Sequence, residues 1–520
     1  MNHYRLIKIR WSIILLVMIF VLLLIQISMI LQHPWSGDYW EHRAVLQELI
    51  DHPINPQHPL LNTNMPHPFF SPYLVAAGYL GSLFNADAGT ILDILSILNF
   101  CLFLLCIYLL RKILLQAHTT QKGMSILLFM LLLYWGINPP FYSSFIHLGS
   151  FPYTLSYPSA FAWITSVLAA YSLHLLNGSN NTYQKLYYTT AGVLLVSICL
   201  LTHPLTYFWS GALIGVVAIE AYHKNSAKKN RENLRSAILL LSLPWLLAAC
   251  WPYYPFYSLL HYTNQPHQVH ADSRELYSNI YLELLPLFLI IPLLLRNPFE
   301  RIRKQLSLWI PLAGLSLIFI CGFLTHAYII GRSLAFIAIL AQIILIREVD
   351  SLQDKRTKWI WSILLILLTI PFCINTIPDI INAATTTHRK YLEQPLNKIP
   401  ARNPPAVVAH HLMFLQKTLP KNKVVLADTP YLPYLPGLGA KVPAVMTPVY
   451  WIPDNEEKKA MIRSFFHDAE ANHAAILTRL NADYILLPSS DTGFLLQKWQ
   501  ALKKLSVVQK DGFSLYQIKH

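Results

Sequence analysis

The sequence predicts an all-α polytopic membrane domain followed by a C-terminal soluble α/β domain. Three observations carry this expectation. The 520 residues are 54% hydrophobic and only 13% charged, and apolar stretches run beyond the ~20 residues that a helix needs to cross a hydrocarbon core. The formal charge of +14 is concentrated in short loops between those stretches, as membrane topology requires, so nucleic acid is not expected as a partner. After about Ile381 no run is long enough to span, and short strand-like runs alternate with helical patterns.

Met1 to Arg10 carries Arg5, Lys8 and Arg10, and Trp11 to Met29 follows without a small-residue cleavage site. This reads as a retained first span with its basic end inside. Phe70 to Phe84 is expected to be an amphipathic interfacial helix, and Ile91 to Leu110 returns the chain to Arg111-Lys112. Further spans are read at Met124 to Gly136 and Ser159 to Leu176. Tyr187 to Tyr222 is read as two spans broken at His203-Pro204, because proline removes a backbone donor. The remaining spans are Ala237 to Trp251, Ile280 to Leu295, Leu308 to Phe323, Ile329 to Ile346 and Trp359 to Ile374. That makes about 11 transmembrane helices over residues 1–382, with every strongly basic loop on one face. The expected location is the inner (plasma) membrane, with a cytoplasmic N-terminus and an extracytoplasmic C-terminal domain.

Residues 383–520 are expected to form that domain. Its elements are a helix from Ala406 to Leu419, strands at Val424 to Ala427 and Tyr484 to Leu487, and a long helical stretch from Glu456 to Leu480. Phe494 to Leu505, Val507 to Gln509 and Phe513 to Gln517 complete it. The six cysteines, Cys101, Cys106, Cys199, Cys250, Cys321 and Cys373, all fall in apolar segments, which implies neither a disulfide framework nor a metal cluster. The match to a glycosylation acceptor at Asn177-Gly178-Ser179 falls on the inner face and is discounted.

The chemistry is expected in the first outer loop, residues 33–72, which opens Gly37-Asp38-Tyr39-Trp40-Glu41-His42. A loop of this length is more often functional than decorative. Asp38 and Glu41 lie three apart, so a helical turn gives them one face, where a carboxylate serves as general base or helps bind a divalent cation. The bland alternatives are an N-cap role for Asp38 and simple solvation for Glu41. His33, His42, His52, His58 and His67 crowd the same loop without metal-site spacing, so no zinc site is expected. His42, His58 and His67 are candidate substrate ligands, as is His147 in the aromatic outer loop Pro139 to Pro158. Within the membrane, His203 at the helix break and Arg332 are candidates for a phosphate, against snorkelling as the plain explanation for arginine.

One inward-charged span, an outer loop with an early Gly-Asp, many uneven spans and a final α/β domain together resemble the GT-C superfamily of membrane glycosyltransferases. The C-terminal segments Val424-Val425-Leu426-Ala427-Asp428, Trp451-Ile452-Pro453-Asp454-Asn455-Glu456-Glu457 and Asp483-Tyr484-Ile485-Leu486-Leu487 are similar to those of an uncharacterised bacterial branch. The resemblance implies a polyprenyl-phosphate-linked sugar as donor, a glycan, lipid or protein acceptor, and Asp38 as catalytic base. It leaves metal dependence open. The paired acids of many members are missing at Gly37-Asp38-Tyr39, and so is a Trp-Trp-Asp run. A polytopic transporter or flippase, or a non-catalytic subunit of a polysaccharide assembly system, is the alternative. No internal repeat favours transport.

Overall fold

The computed structural model describes residues 10–35, 37–115, 118–224, 227–258, 271–295, 298–385, 404–446, 452–468, 471–489 and 507–518. Among these, eight helices are long and apolar enough to cross a membrane: Trp11–Gln32 (α1), Ala88–Leu114, Pro158–Gly178, Thr182–Thr202, Pro204–His223, Leu306–Leu324, Tyr328–Ser351 and Lys355–Thr385. The chain is a multi-pass membrane protein. The break at His203-Pro204 is found: one helix ends at Thr202, His203 is extended, and Pro204 opens the next, where its missing amide hydrogen costs nothing.

Three of the eleven runs differ. Thr120–Leu133 is helical but only 14 residues long, about 21 Å at 1.5 Å per residue. Ala227–Ala249 is a 23-residue helix whose first half carries Lys228, Lys229, Arg231, Glu232 and Arg235. Ile280 to Leu295 is not one helix. It is a string of short turns, Ile280–Glu283, Leu285–Leu289 and Ile290–Leu294, because Pro286 and Pro292 cannot donate to the helical ladder. The freed carbonyls of Leu282 and Glu283 instead accept from Ile137 and Gly136 at 3.2 and 2.8 Å.

The chain divides into two compact units: Met1–Met29, Leu95–Cys250 and His270–Ala384 form the first, and Ile30–Ile94, Trp251–Val269 and Thr385–His520 the second. In the first, Trp209 stacks on Phe336 at 5.7 Å within a core that also buries Trp135. Several polar groups at depth find partners: Gln342 donates to Tyr134 O at 2.9 Å, Asn99 to Leu155 O at 2.6 Å, and Ser210 to Ser166 at 2.7 Å. Arg347 donates to Leu114 O at 2.9 Å and pairs with Glu220 at 2.8 Å, and Arg301 pairs with Glu348. These bonds gather the helix ends at 114, 220, 301 and 347, so their basic residues share one end of the unit.

The second unit joins the first loop to the C-terminal segments. Tyr39–Asp51 (α2) packs on Pro72–Phe84 (α3), with Leu46, Leu49 and Leu74 fully buried. Helix α3 is capped by Ser71, which accepts from Leu74 N at 3.4 Å, and ends on Asn85 in the left-handed region. A four-stranded sheet has the order β1-β2-β4-β3. Its strands are β1 (Val425–Leu426), β2 (Tyr484–Pro488), β3 (Val507–Lys510) and β4 (Phe513–Gln517). β1 and β2 run parallel, and β3 and β4 form a hairpin closed by Asp511-Gly512. The expected long helix from Glu456 to Leu480 is two, Asn455–His467 and His473–Leu480, and Phe494 to Leu505 lies outside the described residues.

Loop and sheet are locked together at a buried ion pair. Lys441 Nζ, 5% exposed, lies 3.3 Å from Glu48 Oε2, itself 6% exposed. The ammonium also donates to His58 O at 2.6 Å and Pro59 O at 3.2 Å, while Val442 N donates to Leu60 O at 2.8 Å. Gly437 passes so close to α2 that an added Cβ would stand 2.7 Å from Trp40 O. Removing one partner of a buried pair leaves an uncompensated charge, whereas removing both is far milder. Lys441→Ala should therefore destabilise this unit by about 3–5 kcal/mol, and Lys441→Met with Glu48→Leu should recover most of that, as read from thermal unfolding of the purified protein.

Candidate active site

Helix α2 begins where the loop from His33 is held by aromatic side chains. Trp35 stacks on Tyr39 at 5.1 Å, Trp40 Nε1 donates to Trp35 O at 3.3 Å, and Trp35 Nε1 donates to His33 Nδ1 at 3.1 Å. Gly37 turns the chain at φ +60°, a conformation that glycine adopts without steric cost. The next residue is Asp38, at the N-cap position. Its carbonyl accepts from His42 N at 2.9 Å, but its φ and ψ of −62° and −13° are helical and its side chain makes no capping bond. The capping alternative is thus not realised, and the carboxylate sits exposed at the helix start.

Glu41 lies one turn on and is largely buried. Its Oε1 is 3.3 Å from His67 Nε2. Burial first, and the neighbouring charge of Asp38 second, push the Glu41 carboxyl up to about 8. At neutral pH it mostly keeps its proton. The solvated-surface alternative for Glu41 therefore gives way: its side chain turns into the loop rather than out to water.

The loop histidines are structural in their placement. His58 and His67 are both 0% exposed, their rings edge to face at 5.2 Å. His58 Nδ1 accepts from the amides of Leu60 and Leu61 at 3.1 and 2.9 Å, and His67 Nδ1 from Phe69 N at 3.2 Å. Each ring therefore carries its proton on Nε2 when neutral. Burial, helped at His58 by Lys441, lowers both; His58 falls to about 3. His42 is buried and packs on Phe69 at 4.9 Å. These three rings have almost no surface open to a substrate, so the expected direct contact is replaced by a role in holding the loop that carries Asp38 and Glu41.

The other candidates belong to the first unit. His147 is 2% exposed, with Nε2 3.1 Å from Pro140 O and Nδ1 accepting from Ser150 N at 3.3 Å. Burial lowers it to about 4, and it shapes its own loop rather than facing substrate. His203 bonds Thr206 Oγ1 through Nδ1 at 2.7 Å. Arg332 lies in a 3₁₀ turn, Tyr328–Ser333, with its guanidinium 4.5 Å from the Tyr142 ring centre. Among the described residues no group of three or more His, Cys, Asp or Glu side chains could hold a metal ion. Asp93 and Arg43 escaped the sequence reading. Both face a cavity beside α2, and only the fold brings them there.

The raised Glu41 carboxyl sets a sign for pH dependence. The unfolded chain gives up this proton in the ordinary carboxylate range and the folded chain near 8, so its contribution is fully present at low pH and is lost as pH rises to about 8. Glu41→Gln should flatten that decline, seen as a smaller difference in melting temperature between pH 5 and pH 9 than the parent shows.

No protein-family model matches the chain, and no curated protein matches it. Solved structures do. The apo oligosaccharyltransferase of Archaeoglobus fulgidus is 13% identical, with a TM-score of 0.50 over 95% of this chain and 71% of that one. The same enzyme, AglB, in complex with an inhibitory peptide and a dolichol-phosphate, is 11% identical with a TM-score of 0.48, covering 99% of this chain and 74% of that one. Apo ArnT from Cupriavidus metallidurans is 10% identical with a TM-score of 0.48, over 97% of each chain. Identities this low speak to fold alone. The superposition on the apo oligosaccharyltransferase covers 95% of this chain and shows that the two share a fold.

Proposed function

We propose that this protein is a membrane glycosyltransferase that moves a sugar from a polyprenyl-phosphate-linked donor to an envelope glycan, lipid or protein acceptor. The observation that carries this reading is Asp38: a carboxylate following a left-handed glycine, exposed at a helix start and not spent on capping it. It stands in a chain whose fold is like that of an archaeal oligosaccharyltransferase.

In this reading Asp38 accepts the proton of an acceptor hydroxyl or amine. The freed oxygen or nitrogen bonds to the anomeric carbon, and the carbon–oxygen bond to phosphate breaks, with the electron pair leaving on the phosphate. Configuration inverts in this single displacement. Glu41, neutral near pH 7, keeps a second negative charge away from Asp38 and from the departing phosphate. Arg332 and His203, both in the first unit, are proposed to bind phosphate through charge-assisted contacts. The reaction is assigned to the outer face of the inner membrane, with the N-terminus cytoplasmic and residues 383–520 extracytoplasmic.

The test is release of polyprenyl phosphate from a panel of polyprenyl-phosphate sugars by the purified protein in nanodiscs, with envelope extract as acceptor. One donor should turn over, and Asp38→Asn should lose about 10²–10⁴-fold in rate, the usual contribution of a general base. No turnover of any donor, or an Asp38→Asn variant equal to the parent, would sink the proposal.

A further inference from the structure

A cavity of about 430 Å³ opens within the second unit, lined from both the first loop and the segment that includes Ala409 to Gln416. That volume falls in the ~300–1,000 Å³ range of small-molecule sites. One wall is aromatic. Trp35 lies in ordered stacking on Tyr39, and Trp40 carries the Arg43 guanidinium 5.6 Å from its ring centre.

Two polar groups of this cavity, Arg43 and Asp93, face each other's charge without a hydrogen bond between them. Among the described residues Arg43 makes no hydrogen bond and no ion pair. Asp93 buries its Oδ1 without a hydrogen-bond partner among them. The neighbouring carboxylate of Asp87 accepts from Gly89 N at 2.9 Å and Thr90 N at 3.3 Å; it feels the charge of Arg43 but makes no hydrogen bond to it. A free fork of donors and a buried free acceptor thus face the same space without meeting, and leaving such a carboxylate oxygen unanswered is costly. His33 adds a donor. Because its Nδ1 accepts from Trp35 Nε1, the neutral ring carries its proton on Nε2. It holds this position in a left-handed backbone conformation, φ 49°, that non-glycine residues seldom adopt, the kind of local strain that gathers at ligand sites. Gln416 at the far wall offers both a donor and an acceptor.

We propose that this cavity is a saccharide-binding subsite. A pyranose ring presents an apolar C–H face to an aromatic wall and a rim of hydroxyls, each both donor and acceptor. That combination satisfies Asp93 and Arg43 together. A simple anion would satisfy Arg43 but would meet the Asp93 carboxylate, and a purely apolar ligand would leave both unanswered. Tyr39, the residue after Asp38, lines the cavity, so the subsite lies next to the proposed base in the chain. That the bound sugar is the acceptor rests on the transferase reading above; binding itself does not.

The experiment separates the two. Saturation-transfer NMR on the full chain in nanodiscs would use methyl hexopyranosides and their 2-acetamido counterparts, with inorganic phosphate as competitor. Asp38→Asn should bind glycoside like the parent while turning over no donor. Arg43→Gln, Asp93→Asn and Gln416→Ala should each weaken binding, the first two by about tenfold or more. The decision is read on Arg43→Gln. Its side chain makes no bond in the free protein, and the variant should melt with the parent. Failure of every glycoside to bind, equal binding by Arg43→Gln and parent, or displacement of glycoside by phosphate would overturn the subsite. If glycosides bind while no donor turns over in the parent, the subsite stands and the transferase reading falls.

Discussion

The second unit depends on one buried charge pair. An ammonium and a carboxylate taken out of water repay their desolvation only when every remaining hydrogen-bonding position is answered. Here they are. Glu48 accepts from Gln57 N at 2.9 Å and from His52 at 2.9 Å as well as facing Lys441, and Lys441 spends its other donors on the carbonyls of His58 and Pro59. The pair therefore does more than tie residue 48 to residue 441. It fixes the backbone at His58, whose ring packs against His67, whose Nε2 in turn lies at Glu41. The surroundings of Glu41 are thus tied, through His67 and His58, to a lysine in the C-terminal part of the chain.

This arrangement divides labour between two carboxyls that the sequence shows as equals. Asp38 and Glu41 are three residues apart on one helix, yet one is exposed and the other buried against histidine. Burial and the charge of its neighbour keep Glu41 protonated, which spares the loop two adjacent negative charges. A helix start ordered by Trp35, Tyr39 and Trp40 keeps the two in fixed relation. Aromatic side chains suit that task because they order a turn through large contacts at little cost in side-chain freedom.

Much of the membrane architecture was legible because its signals are local. A break at His203-Pro204 follows from the missing donor of proline, and the strands at Val425, Tyr484, Val507 and Phe513 from runs of β-branched and aromatic residues between turn signals. Ile280 to Leu295 misled for the opposite reason: its hydropathy is that of a span, while Pro286 and Pro292 forbid the continuous ladder. That Asp38 stands at the start of a helix was legible from its place after Gly37. The burial of His58 was not legible because Lys441 and Val442, which bond the backbone at residues 58–60, lie outside any window around residue 58. Asp93 and Arg43 were invisible for the same reason. A carboxylate in an apolar run and an arginine on a short helix come to line one cavity only when the chain folds.

The Lys441–Glu48 bond also sets an order of assembly. Ribosomes add about 5–20 residues per second, so the 393 positions between the partners correspond to about 20–80 s of synthesis. Through that interval the first loop lacks the lysine that pairs with Glu48 and bonds the backbone at His58. Its acid and histidines stay hydrated, and the site around Asp38 is completed only when the last quarter of the chain arrives. A chain truncated before that point would keep its membrane helices and lack a finished first loop, so premature release yields an inert protein rather than an uncontrolled one.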